Sequence, residues 1–223
     1  MTANVLLEID RAIERYHLSG HPFYQKWQAG TLSQKTLQVY ATQYYRHVEA
    51  FPERLMDLAM RTEGRLRDIV LGNLSEELDR TDPHPKLWRE FAAAVGVTQE
   101  SLWQTPALPG VDALVRAYRT ICRGRPVVEG VAALYAYEAQ VPEIATTKIT
   151  GLRNYYGVTS EEGLAYFRVH EEADKVHRAA WKEWLGEAAE AESPTGRRNL
   201  LATAETALGA LWEALDEIDG AAL

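Results

Sequence analysis

LAYFRVHEEADKVHRAAWKEWL, residues 164–185, decides the reading of this chain. Leu164, Phe167, Trp181 and Leu185 recur at helical spacing, and that apolar stripe is interrupted by His170, Asp174 and His177. At 3.6 residues per turn, offsets of four and three place these three side chains within an arc of about 60°, on the core side. Glu171, Glu172, Lys175 and Arg178 supply the solvated face. Two imidazoles and a carboxylate facing a core cost several kcal/mol unless something inside compensates them, either a hydrogen-bonded His-Asp-His network or a bound cation.

Two further stretches repeat the pattern. Leu66, Val70 and Asn73 or Leu74 form a stripe that ends on Glu77, with Glu76 competing for the inward position, and Val127, Val131 and Leu134 or Tyr135 form one that ends on Glu138. His84 follows Glu77 across the Asp82-Pro83 break, where it could join the same site or simply belong to a turn. Three carboxylates and three imidazoles from several helices suit a pair of first-row metals. The absence of thiolates from the set disfavours structural zinc. Ferritin-type bundles use two Glu-x-x-His pairs, and only Asp174-x-x-His177 approximates one here, so the scaffold is expected to differ.

The rest of the chain is read as helical too. Apolar spacings of three and four dominate, predicting an all-α fold with helices over 2–17, 33–49, 53–62, 64–79, 85–95, 110–122, 127–139, 142–156, 160–185 and 195–218. Proline and glycine fall between the runs, including Pro52, Pro83 and Pro85, Pro126 and Pro142. The segment 186–196 is the most linker-like, but the helix after it is amphipathic and must dock on the remainder, which gives one helical domain over 1–223.

Composition narrows the class of partner. With 24 Lys+Arg against 32 Asp+Glu the net charge is −8, which disfavours nucleic acid and anionic membranes. No stretch is apolar for the ~20 residues of a membrane span. The single cysteine, Cys122, reads as a small core residue, and Glu8, Asp10 and Arg11 occupy the place of a signal peptide's apolar segment, so a cytoplasmic location is expected.

HPFYQKW (21–27), NLSEELDRTDPHPKLW (73–88), ALYAYEAQVPEIATTKI (133–149) and YFRVHEEADKVH (166–177) resemble the heme-oxygenase-like dimetal oxidases, in the branch typified by the chlamydial protein associating with death domains (CADD). Asp79 departs from that pattern, where relatives often have glycine. The resemblance implies a bundle of about seven long helices, often a homodimer, with Glu77, His84, Glu138, His170, Asp174 and His177 holding two metal ions, Fe/Fe or Fe/Mn. It also implies an oxygen- and reductant-dependent synthesis of para-aminobenzoate for folate, at the expense of a tyrosine of the protein itself. Tyr24 matches the sacrificed tyrosine and Lys148 the amine donor, while Tyr137 and Tyr40 match candidate radical relays.

Other readings compete with this one. An oxygenase of an external amino acid or fatty acid would use the same ligands without needing Tyr24 or Lys148. A metal-free cofactor-maturation oxidase like pyrroloquinoline quinone synthase would not need the full ligand set. A non-catalytic helical interaction module has no specific support in the sequence.

Overall fold

The computed structural model describes residues 5–221, so residues 2–4 of the first expected helix lie outside the described residues. The fold is all-α, as expected. Eleven α-helices are present among the described residues: α1 (Val5–Arg15), α2 (Pro22–Ala29), α3 (Gln34–Ala59), α4 (Gly64–Glu77), α5 (His84–Ala94), α6 (Gln99–Gln104), α7 (Pro109–Gly124), α8 (Val127–Glu138), α9 (Val141–Tyr155), α10 (Glu161–Glu190) and α11 (Pro194–Gly220). That is more than the expected bundle of about seven long helices: even without the short α2 and α6, nine remain.

Local chemistry explains where the elements begin. Ser33, Ser160 and Ser193 cap α3, α10 and α11 by accepting from the backbone N–H three residues on. For α2 the cap is His21, whose Nδ1 accepts from the Phe23 N–H at 3.1 Å, and Gly30 closes the helix in the left-handed region at φ 68°. A histidine cap and eight residues leave little periodic signal, so α2 was not expected. The same brevity hides α6.

The expected break at Pro52 is corrected: α3 runs unbroken through it from Gln34 to Ala59. An interior proline forfeits one helical hydrogen bond and costs about 3 kcal/mol. Both halves of α3 nevertheless bury a stripe, Tyr40, Tyr44 and Val48 before the proline and Leu55 and Leu58 after it, and that burial outweighs the loss.

Helix α8 is the axis of the molecule, buried on every side from Glu129 to Glu138. It packs on α10, α11 and α7, and α11 docks against α7, α8 and α1, as its amphipathic pattern requires. Helix α10 contacts α4, α5, α8 and α9, which places the end of α4, the start of α5 and the end of α8 around its middle. Gly151 of α9 lets the Trp27 indole lie directly on the helix, since a Cβ there would meet Trp27 Nε1 at 2.5 Å. No helix among the described residues is long and apolar enough to cross a membrane.

Candidate metal centre

The six expected ligands come from four helices and are all buried. Their donor atoms form two adjoining groups, Glu77 with His84 and His170, and Glu138 with Asp174 and His177; within each, one atom per residue lies within 4.8 Å of the others. The ambiguity at the end of α4 resolves in favour of Glu77, which is buried, whereas Glu76 is largely exposed with its carboxylate 3.3 Å from His177 Nε2. His84 opens α5 between Pro83 at the cap and Pro85 in the first turn, so the two prolines fix a helix start and aim the imidazole inward.

The polar atoms at this centre are under-satisfied in a telling way. His84 Nδ1 lies 2.9 Å from Glu77 Oε1, yet without the alignment of a hydrogen bond. His84 Nδ1, Asp174 Oδ2 and His177 Nε2 are buried with no hydrogen-bond partner. Buried polar atoms are normally paired. Three orphans on three of six clustered carboxylates and imidazoles fit lone pairs converging on cations, so the residues present suit a metal pair.

Surrounding groups orient the set. His170 Nδ1 donates to the Tyr166 carbonyl at 2.7 Å, which turns Nε2 toward Glu77, 3.9 Å away. Glu138 accepts from Trp181 Nε1 at 2.8 Å and from Asn73 Nδ2 at 3.1 Å. His177 Nδ1 lies 3.2 Å from Asp174 Oδ1 and 3.7 Å from Glu138 Oε2.

Burial, reinforced by the Asp174 charge, pushes Glu138 up to about 8, and burial likewise raises Asp174 to about 6. Burial alone would lower His177, but the hydrogen bond to Asp174 and the charges of Glu138, Asp174 and Glu76 outweigh it and raise the imidazole to about 9. Burial holds His170 well below its ordinary value, with His84 adding to the effect, so its ring is neutral and free to donate a lone pair. A bound cation would reverse the upward carboxylate shifts.

A second chamber adjoins the centre. A cavity of about 20 Å³, lined by Tyr24, Tyr44, Tyr137, Lys148, Tyr166 and His170 among others, meets the metal-side cavity of about 10 Å³ at Tyr137, Tyr166 and His170. Lys148, which from its residue type alone would be a surface lysine, is buried; its Nζ sits 5.4 Å from the Tyr24 ring centroid and 5.2 Å from that of Tyr40. Desolvation pulls its amine down to about 7. Burial also raises the Tyr24 and Tyr40 phenols well above their ordinary value, so both are neutral. The Tyr137 hydroxyl lies 3.3 Å from that of Tyr44.

Seven of the ten expected site residues line the two joined cavities, and the other three adjoin them, Tyr40 beneath Lys148 Nζ and His84 and His177 within the two groups of donors. The sequence reading missed Tyr44, His47, Tyr166, Asn73 and Trp181. A signal existed for His47, since Tyr40, Tyr44, His47 and Phe51 share one stripe of α3, and its ring packs 4.9 Å from Tyr137. Buried Arg54 donates from Nη1 to His47 Nδ1 at 3.2 Å. Cys122 is a buried thiol that desolvation pushes up to about 12, which is the inert core residue expected.

A helical bundle with six carboxylate and imidazole donors at its centre, joined to a chamber walled by phenols, is an arrangement suited to binding metal ions for redox chemistry. Residues 38–212 match the family of iron-containing redox enzymes with the heme-oxygenase-like fold, and the chain belongs to that family and is an oxidoreductase. It is 38% identical over 221 residues to the 4-aminobenzoate synthase of Nitrosomonas europaea, covering 95% of this chain and 89% of that one. It is 41% identical over 175 residues to the 4-aminobenzoate synthase of Chlamydia trachomatis, covering 78% and 76%. Among solved structures, a TenA homolog from Pseudomonas syringae pv. tomato superposes with a TM-score of 0.83 at 18% identity, over 96% of this chain and 90% of that one, a likeness of fold.

Proposed function

We propose that this protein is a dimetal oxygenase that makes 4-aminobenzoate from its own Tyr24, with the nitrogen drawn from Lys148 and with dioxygen and a reductant as co-substrates. The observation that carries the proposal is the size of the chamber beside the metal centre. At about 20 Å³ it holds a molecule the size of water, far below the roughly 300 Å³ at which small-molecule sites begin. An external aromatic or fatty acid has no room there, whereas a phenol and an amine of the chain already form its walls. The identity to two 4-aminobenzoate synthases supports the same product.

Glu77, His84 and His170 would hold one metal ion and Glu138, Asp174 and His177 the other. Iron or an iron-manganese pair, when bound there, supplies the reduction of dioxygen and a strong oxidant. The chain's own groups do the rest. Leu18, Ile144 and Phe167 keep bulk water from the Tyr24 ring. The depressed proton affinity of Lys148 leaves about half of its amine neutral near pH 7, and that neutral fraction is nucleophilic. Tyr137 and Tyr40 are placed to pass an oxidising equivalent between the centre and Tyr24. In the net conversion the Cα–Cβ bond of Tyr24 breaks, with a hydrogen taking the place of the side chain on Cα, and Cβ is oxidised to the carboxylate by dioxygen. The phenolic oxygen leaves as water as the Lys148 nitrogen takes its place, and the Lys148 Cε–Nζ bond breaks by hydrolysis to leave Cε as an aldehyde, the two electrons of that oxidation also passing to dioxygen.

The test is mass spectrometry of metal-loaded protein after addition of reductant and oxygen with no other substrate. The expected result is 4-aminobenzoate, with loss of a tyrosine side chain mapped to the peptide holding Tyr24. Tyr24→Phe should bind metal and release nothing. Full product from that variant would overturn the assignment.

A further inference from the structure

Redox-active rings form a continuous file from the surface to the metal centre. Tyr155 is 55% exposed, and its ring centroid lies 6.3 Å from that of Tyr156. Tyr156 is 5.7 Å from Trp27, Trp27 is 5.7 Å from Tyr40, and Tyr40 is 5.5 Å from Trp88. Trp88 is 4.8 Å from Tyr166, which in turn packs 4.1 Å from the imidazole of His170. Every step is a ring-to-ring approach of 6.3 Å or less between centroids.

We propose that this file is the route by which electrons from an external one-electron reductant of the thiol or ascorbate class reach the metal site, with Tyr155 as the surface port. The proposal rests on the centre being a redox metal site, and not on which molecule is finally oxidised there.

The two indoles make the file workable. A tyrosine must shed its phenolic proton to be oxidised, and the buried Tyr40 hydroxyl is set against another phenol, that of Tyr24, which is a poor proton acceptor. An indole can carry the positive charge with its proton in place. Trp27 and Trp88 keep theirs against backbone carbonyls, of Lys148 at 3.4 Å and of Ala41 at 2.8 Å. Tyr40 then serves as the short bridge between two indole stations. Lys148 Nζ lies over the Tyr40 and Trp88 rings, and burial favours its uncharged form, so it does not oppose a positive charge there.

The balance closes at the surface. One electron leaves Tyr155 for the centre, the Tyr155 proton passes to water, and the external reductant then returns an electron while water returns the proton. Phenylalanine keeps an aromatic ring at every station but is far harder to oxidise, so the substitution interrupts the file; at a tryptophan it also gives up half of the indole and its bond to a backbone carbonyl, at some cost in stability.

The experiment is spin-trap mapping on metal-loaded protein treated with hydrogen peroxide and no reductant, with adducts located by peptide mass spectrometry. Trp103 is the internal control: it is 49% exposed, and its ring neighbour Tyr45 belongs to no step of the file. The expected result is adduct on Tyr155 well above that on Trp103 and dependent on metal. It should fall at least tenfold in Trp27→Phe and in Tyr156→Phe, both with metal content preserved and both folded at the temperature of the assay. Equal labelling of Tyr155 and Trp103, or Tyr155 labelling unchanged in both variants, would overturn the route. Tyr156 is half-buried, so its variant decides the matter if Trp27→Phe does not fold. Adduct formation is read independently of 4-aminobenzoate release, so failure of either reading is seen separately.

Discussion

Replacing Lys148 with methionine should make the protein more stable and inactive at once. The amine has moved from 10.5 to about 7 through desolvation. Each tenfold change in proton affinity is worth roughly 1.4 kcal/mol, so the buried ammonium costs about 5 kcal/mol when charged. The rings of Tyr24, Tyr40, Tyr44, Trp88 and Phe167 lie 5.2 to 6.0 Å from Nζ, at the outer limit of cation–π attraction. At about 0.5 kcal/mol each they offset about half of that cost. The net expectation is a gain of about 2–3 kcal/mol for Lys148→Met near pH 6.

The sign follows from linkage. Below the native value both folded and unfolded chains hold the proton, and the penalty is complete. As pH rises from there toward 10.5, the native state gives up its proton first, the unfolded chain binds more, and wild-type stability climbs toward the variant's. Urea unfolding of metal-free wild type and Lys148→Met across this range is the assay, with the difference shrinking by at least about half by about pH 9.5. A variant less stable than wild type near pH 6, or a difference that does not change with pH, would refute the reasoning.

Metal analysis should find that His170→Ala and Asp174→Ala each lower loading, with a site in each group of three lost; full loading in either would remove that residue from the ligand set. Trp181→Phe deletes the bond to Glu138 Oε2 and should weaken metal binding by about 10–100-fold in a competition titration, with the fold intact. Gly151→Ala drives a Cβ into Trp27 Nε1 and Cδ1, and should cost about 1–3 kcal/mol in denaturant while disturbing the helix that carries Tyr24.

How far the sequence could be read depended on the kind of signal each residue leaves. His170, Asp174 and His177 were legible because charge on an apolar stripe contradicts its own periodicity, and the same contradiction exposed Glu77 and Glu138. Pro52 misled because local propensity is a weak prior against a helix buried on both halves. Lys148 carries no periodic anomaly of its own, so burial was legible only through resemblance to a family. Trp181 and Asn73 could be placed in or beside a stripe, but a hydrogen bond to Glu138 from another helix is a fact of tertiary packing. Tyr44 and Tyr166 were hidden by abundance, being two of 11 tyrosines in a chain rich in aromatic packing.

The small chamber between Lys148 and His170 carries a consequence for how such a catalyst is supplied. On the proposed function, a reaction whose organic reactants are side chains has no Michaelis constant for an organic substrate and no competition for its binding, and it ends when the chain has fired once. Output is then counted in polypeptides made, so the cell would set the flux by translating this protein, much as it would set the amount of any consumed reagent.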